Sequence, residues 1–184
     1  MLYPRTVVAG CGNPLFADDG FGPAAAEELK KVPLPPGVKV VDAGICGTYY
    51  IFSLVDAGKT RRLIILDSVD FGSEPGSIGF FKVDDLPAGS YCDPFVWDIA
   101  SPFDRIKDGI DILIIGCQPQ RVSYPEVEYG LSDAVRNAIP RAVEIVQHVI
   151  STDAGLPEGD FMSEMKRELR RSLPIPASIR KQSF

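Results

Sequence analysis

The chain has 184 residues, 45% of them apolar, and a formal charge of -6. That length suits one domain with a sizeable core, the acidic balance argues against nonspecific nucleic-acid binding, and no apolar run reaches the roughly 18 residues that a membrane-spanning helix needs. Cys11, Cys46, Cys92 and Cys117 show no Cys-x-x-Cys spacing, and Met1–Arg5 lacks the regions of a signal peptide, so a reducing, cytoplasmic setting is expected.

Strands and helices are expected to alternate along residues 1–150. Thr6 to Gly10 reads as a first strand and Pro23 to Lys31 as a helix, with Pro23 suited to the first turn. The prolines of Val32–Gly37 end that helix. Val38 to Asp42 is a second strand, Ala43 to Gly47 a turn, and Thr48 to Asp56 a short helix. Leu63 to Leu66 is a continuous apolar run closed by Asp67, as in a strand covered on both faces. Ser77 to Val83 suits an antiparallel edge strand, and Ile112 to Gly116 is the last central strand. The closing helix runs from Ser132, a capping residue, to Ile150, with Val135, Ile139, Ala142, Val143 and Val146 at helical spacing.

This alternation predicts an α/β fold: a doubly wound, mostly parallel five-stranded sheet flanked by helices on both faces, with a C-terminal helical extension. Residues 151–184 form that extension. Ser151–Gly159 reads as a linker, Phe161 to Leu173 as a charged amphipathic helix, and Pro174 to Phe184 as a tail too sparsely patterned to pack alone.

The richest stretch is Gly10-Cys11-Gly12-Asn13-Pro14-Leu15-Phe16-Ala17-Asp18-Asp19-Gly20-Phe21-Gly22. Strand, glycine turn and helix together bring two adjacent acids to the carboxyl end of a sheet, where open α/β folds bind ligands. A dinucleotide fingerprint needs a third glycine where Leu15 stands, and two acids would repel a pyrophosphate. The loop reads as a seat for a cation. The competing structural reading is that the acids cap the helix that follows them. Asp42 and Asp67 end the second and third strands, so Asp19, Asp42 and Asp67 are candidates to share one crevice. A bound cation or protonation of one acid would relieve their repulsion, although aspartates at strand ends are also common turn formers.

Taken together, Gly10-x-Gly12-Asn13-x-Leu15-x-x-Asp18-Asp19-Gly20-x-Gly22, Asp42-Ala43-Gly44-x-x-Gly47 and Leu63-Ile64-Ile65-Leu66-Asp67-Ser68 resemble the hydrogenase maturation endopeptidases. The resemblance covers about Thr6 to Ile150. It implies a hydrolase that removes a carboxy-terminal peptide from the large-subunit precursor of a nickel–iron hydrogenase after nickel insertion. Nickel, delivered in the substrate, would act as the recognition signal. The long Pro87–Trp97 connection and the tail resemble the branch serving coenzyme F420-reducing (deazaflavin) hydrogenases of methanogenic archaea. No nucleic acid or membrane partner is implied.

The family's metal site, carried over residue by residue, places one ligand on Asp19 and a second on Asp67, with Asp18 capping or orienting the loop. The same two acids, Asp19 and Asp67, are the catalytic candidates. The family's third ligand is a histidine, and Phe95 stands in its place. The only histidine, His148, lies near the end of the last helix and reads as a surface or packing residue. Nickel favours imidazole and thiolate over carboxylate alone, which leaves three repairs. The substrate's own thiolates supply the missing donors, or Asp93 does, or a thiol among Cys11, Cys46 and Cys92. The first is preferred, with Asp93 second.

No Gly-x-Ser-x-Gly elbow or His-Glu-x-x-His motif is present. A serine or cysteine nucleophile would need a histidine base that the chain cannot place. Two other classes stay open: a nickel-sensing chaperone that holds the precursor without cutting it, and a small-molecule hydrolase on a related scaffold.

Overall fold

The computed structural model describes residues 3–44, 47–85, 103, 106 and 108–152. The apolar run Thr6–Cys11 forms β1, buried along its whole length. A three-residue turn of 3-10 helix at Asp18–Gly20 leads directly into α1, Phe21–Leu29. Pro23 lies within the first turn of α1, where a missing N–H costs nothing. Val38–Gly44 is β2 and Gly47–Leu54 is α2. Arg62–Ser68 is β3, Ile78–Phe81 is β4, Asp111–Cys117 is β5, and Asp133–Thr152 is α3.

The five strands lie in the order β2-β1-β3-β5-β4. All neighbours are parallel except β4, which pairs antiparallel with β5 at the edge, as Ser77 to Val83 suggested. The chain leaves β1 to one side to make β2, then crosses back over β1 to lay β3 on its other side. The carboxyl ends of β1 and β3 therefore flank the topological switch point, the place where an open α/β sheet leaves a crevice.

Both faces of the sheet are covered, which accounts for the uninterrupted apolar runs in its central strands. On one face Val8, Ile64, Leu66, Leu113 and Ile115 pack against Phe21, Ala25 and Leu29 of α1 and against the stripe of α3, which includes Val135, Ile139, Ala142 and Val146. On the other, Val7, Ala9, Cys11, Leu63, Ile65, Ile112 and Ile114 pack against Ile51 of α2 and Val55 just after it, with Phe103. The first face is tight at one point. A Cβ on Gly22 of α1 would stand 2.1 Å from the Cys11 carbonyl oxygen and 2.3 Å from that of Leu66, so only glycine lets the helix approach the switch point this closely.

Several boundaries differ from the sequence expectation. Strand β2 continues through the expected turn residue Ala43 to Gly44, and α3 runs on through Thr152 into the expected linker. Helix α1 starts at Phe21, because the chain is already coiled by the preceding 3-10 turn. It stops at Leu29, and Lys31 and Val32 close tighter turns on Glu28 and Leu29. Helix α2 ends before Asp56, whose side chain accepts the Gly58 N–H at 2.9 Å while its carbonyl accepts from Thr60 at 2.7 Å. Asp56 is a turn former here, not a helical residue. Ser132 does cap α3: its carbonyl accepts from Arg136 at 2.9 Å and its hydroxyl from Val135 at 3.4 Å. No helix among the described residues is long and apolar enough to cross a membrane.

Candidate active site

The loop after β1 doubles back sharply. Gly12 has φ +118°, and a Cβ there would lie 2.0 Å from the Asp19 carbonyl oxygen. Asn13 holds the first half, its side-chain oxygen accepting from Leu15 N at 3.0 Å. The second half is a tight turn from Phe16 to Asp19, closed by Asp19 N donating to Phe16 O at 3.3 Å. Ala17 occupies the first central position of that turn with φ 53° and ψ -118°. That is the type II′ geometry usually given to glycine, held here by Ala17 N donating to Glu128 O at 2.7 Å.

The two adjacent acids have different tasks. Asp18 is 0% exposed and reaches across the molecule. Its Oδ2 accepts from Gln120 N at 2.9 Å, Arg121 N at 3.0 Å and the Ser132 hydroxyl at 2.9 Å, and its Oδ1 accepts from Ser132 N at 2.6 Å. Neither acid caps α1, whose N-cap Gly20 has no side-chain hydrogen bond. Asp18 instead serves the start of α3 and pins the segment 120–132 onto the acid loop.

Asp19 is half-buried at the mouth of the crevice. Its Oδ2 accepts from Asn13 N at 2.7 Å and its Oδ1 from the Ser68 hydroxyl at 3.1 Å. Asp67, near the end of β3, accepts the Ser68 N–H on Oδ1 at 2.8 Å. One residue, Ser68, thus donates to both candidate acids. Burial first, then the charges of Asp67, Asp42 and Asp19, hold the Cys11 thiol well above its ordinary range. Cys117 at the end of β5 is likewise pushed up, to about 12, by burial and by Asp18. Both are neutral thiols at neutral pH, poor nucleophiles and poor ligands as they stand.

Asp42 lies on the neighbouring strand end, near enough for its charge to act on Cys11. It is exposed and folds back on its own strand end, accepting from Gly44 N at 2.9 Å. Among the described residues no three His, Cys, Asp or Glu side chains are grouped closely enough to hold a metal ion. Neither Asp42 nor Cys11 therefore completes a set with Asp19 and Asp67. Asp93, Cys46, Cys92 and Phe95 lie outside the described residues. His148 is exposed on α3, as expected for a surface histidine. Sequence reasoning missed Gln118, whose buried side-chain oxygen accepts from Phe71 N at 2.9 Å and Ser73 N at 3.2 Å. Gln118 so fixes the connection that follows Asp67. Its only signal is a polar residue directly after an apolar central strand.

A profile of the hydrogenase maturation proteases matches residues 23–149. The chain belongs to that family. It is a peptidase of hydrogenase maturation, as the resemblance of its motifs implied. The delta subunit of a coenzyme F420 hydrogenase from Methanothermobacter thermautotrophicus is 40% identical over 144 residues, covering 76% of this chain and 90% of that protein. The hydrogenase expression/formation protein HupD of Bradyrhizobium diazoefficiens is 30% identical over 158 residues, 80% of this chain and 78% of its own. Among solved structures, the nickel–iron hydrogenase maturation protease HycI of Thermococcus kodakarensis aligns with a TM-score of 0.62 at 25% identity, covering 80% of this chain and 93% of that one.

Proposed function

We propose that this protease removes a carboxy-terminal extension from the large-subunit precursor of a nickel–iron hydrogenase once nickel has been inserted. The observation that carries the reading is the pair of carboxylates, Asp19 and Asp67, tied through Ser68 at the switch point. Two hard oxygen donors make only a weak site for a free ion. They suit a nickel ion that arrives already held by the precursor's thiolates and needs only further donors to be gripped. Nickel is then part of the substrate, and its presence is what brings the scissile peptide into the crevice. Asp93 is the intramolecular donor that could add to the pair.

With both described thiols neutral and the histidine on the outer surface, the cleavage chemistry falls to the acids. One carboxylate accepts a proton from a water attacking the peptide carbonyl, polarised against the gripped nickel, and returns it to the leaving amine as the C–N bond breaks. A protein partner also suits the rim. Leu15, Tyr124, Val127 and Tyr129 are exposed there, on a segment stacked against the acid loop by Glu128 N donating to Leu15 O at 2.8 Å and by the Phe16–Tyr124 ring contact at 5.1 Å. The likeness to the F420 hydrogenase delta subunit supports a coenzyme F420-reducing hydrogenase as the enzyme served, and a cytoplasmic site of action goes with that substrate.

The test is processing of nickel-loaded and nickel-free precursor, read as loss of the tail by mass. Wild-type protein should trim only the loaded form, and Asp19→Asn and Asp67→Asn should each trim neither while remaining folded. Equal trimming of both forms, or full activity in both variants, would refute the reading. Binding of loaded precursor with the tail left intact would point to a holding role instead.

A further inference from the structure

We infer that Ser68 is the positioning residue of the acid pair: its hydroxyl fixes Asp19 and its amide fixes Asp67, so that the two carboxylates are set for a cation before any cation arrives. The inference rests on the reading of Asp19 and Asp67 as a cation grip.

The argument begins with repulsion. Two carboxylates that share a partly dry crevice repel each other, and without a cation each would rotate away. Ser68 ends β3 and pairs with Cys117 of β5, so its position is set by the sheet. From there its two donors divide between the acids, with the hydroxyl 3.1 Å from Asp19 Oδ1 and the N–H 2.8 Å from Asp67 Oδ1. Hydrogen bonds to a charged acceptor are the strong kind and disperse some of its charge. Asn13 N takes the other Asp19 oxygen at 2.7 Å, so that both Asp19 oxygens are held and each keeps a lone pair for a cation. The Asp19 link spans 49 positions of sequence and joins the acid loop to the sheet.

Alanine separates the two contacts, since it deletes the hydroxyl on Asp19 and keeps the amide on Asp67. Outer partners of metal-binding carboxylates are typically worth about 10-fold or more in affinity. The experiment is calorimetric titration of the full-length protein with cadmium, alongside kcat and KM for nickel-loaded precursor. Ser68→Ala should bind cadmium about 10-fold more weakly and raise KM by a similar factor with kcat little changed, and Ser68→Thr should restore both. A residue that merely supported the fold would lower the active fraction and leave KM where it was. If Ser68→Ala disturbs folding, Ser68→Val against Ser68→Thr makes the same comparison at equal size. Unchanged cadmium affinity and KM in the hydroxyl-free variant would overturn the assignment of Ser68 while the acid pair stood. A wild-type protein that binds no cadmium, with Asp19→Asn and Asp67→Asn processing normally, would overturn the grip itself and this inference with it.

Discussion

Removing the Asp18 carboxylate should cost more stability than removing any exposed acid of the domain. Asp18 is fully buried and accepts four hydrogen bonds, three from backbone amides and one from a hydroxyl. Each donor left buried without a partner costs about 1–3 kcal/mol, although water entering the space and rotation of the Ser132 hydroxyl recover part of this. Asp18→Ala should therefore lose about 4–5 kcal/mol, a large share of the roughly 5–15 kcal/mol that holds a domain together. Asp18→Asn should lose less, about 2–3 kcal/mol. An amide oxygen can keep the three donors now on Oδ2, but its NH2 then faces the Ser132 N–H, donor against donor. Urea unfolding followed by circular dichroism measures both, and at about 2 kcal/mol per molar the alanine midpoint should fall by about 2 M. Glu27→Ala, which breaks an exposed pair with Lys30, serves as the control and should shift stability by no more than about 0.5 kcal/mol. A midpoint shift for Asp18→Ala as small as the control's, with the slope unchanged, would refute the reasoning. So would an asparagine variant weaker than the alanine.

Ala17→Gly should raise the melting temperature by a few degrees, because relief of about 1–3 kcal/mol of backbone strain outweighs the added freedom of the unfolded chain; a lower melting temperature would show that Ala17 is not strained. Gly22→Ala should destabilise by about 3 kcal/mol or prevent folding, since the new methyl meets backbone atoms of Cys11 and Leu66 that cannot move aside. Folding holds Cys117 protonated up to about 12 against an ordinary 9.0, so the unfolded chain gives up this proton first. Its contribution is intact below pH 9.0 and is lost as pH rises towards about 12. Urea midpoints should fall over that range less steeply in Cys117→Ala than in wild type, and iodoacetamide should modify Cys11 and Cys117 only after unfolding. Tyr129, 76% exposed, should change stability by less than about 0.5 kcal/mol when replaced by serine, yet Tyr129→Ser together with Val127→Ser should raise KM for the precursor in steady-state processing assays.

The sheet was readable from the chain because its strands are covered on both sides. Val7 to Ala9, Leu63 to Leu66 and Ile112 to Ile115 must be apolar at every position, and that pattern names a parallel α/β fold with little ambiguity. The place of Asp67 was legible for a related reason: an acid directly after such a run falls at the carboxyl edge of the sheet, and Asp19 follows in the loop after β1. The labour division within Asp18-Asp19 was only half legible. Its motif suggested that Asp18 orients the loop, but the partners at Gln120, Arg121 and Ser132 lie over a hundred residues away. No local pattern encodes a contact of that span. Asp42 was ambiguous because its turn, closed on Gly44, and a shared crevice would look the same in sequence. Ser68 and Gln118 act through hydrogen bonds to partners set by tertiary packing, so residue type and position gave at most a faint signal.

The separation between Asp18 and its partners also bears on when the enzyme can work. The acid loop is written near the amino terminus, yet its anchor at Ser132 lies 114 positions later. A growing polypeptide on the ribosome can pair β1, β2 and β3 and bury α1, but its acid loop stays untethered until the start of α3 has emerged. Closing so long a loop is entropically costly and comes late in folding. The acid loop is thus among the last parts of the molecule to be tethered, and a half-made chain lacks the anchor that Asp18 takes from the start of α3.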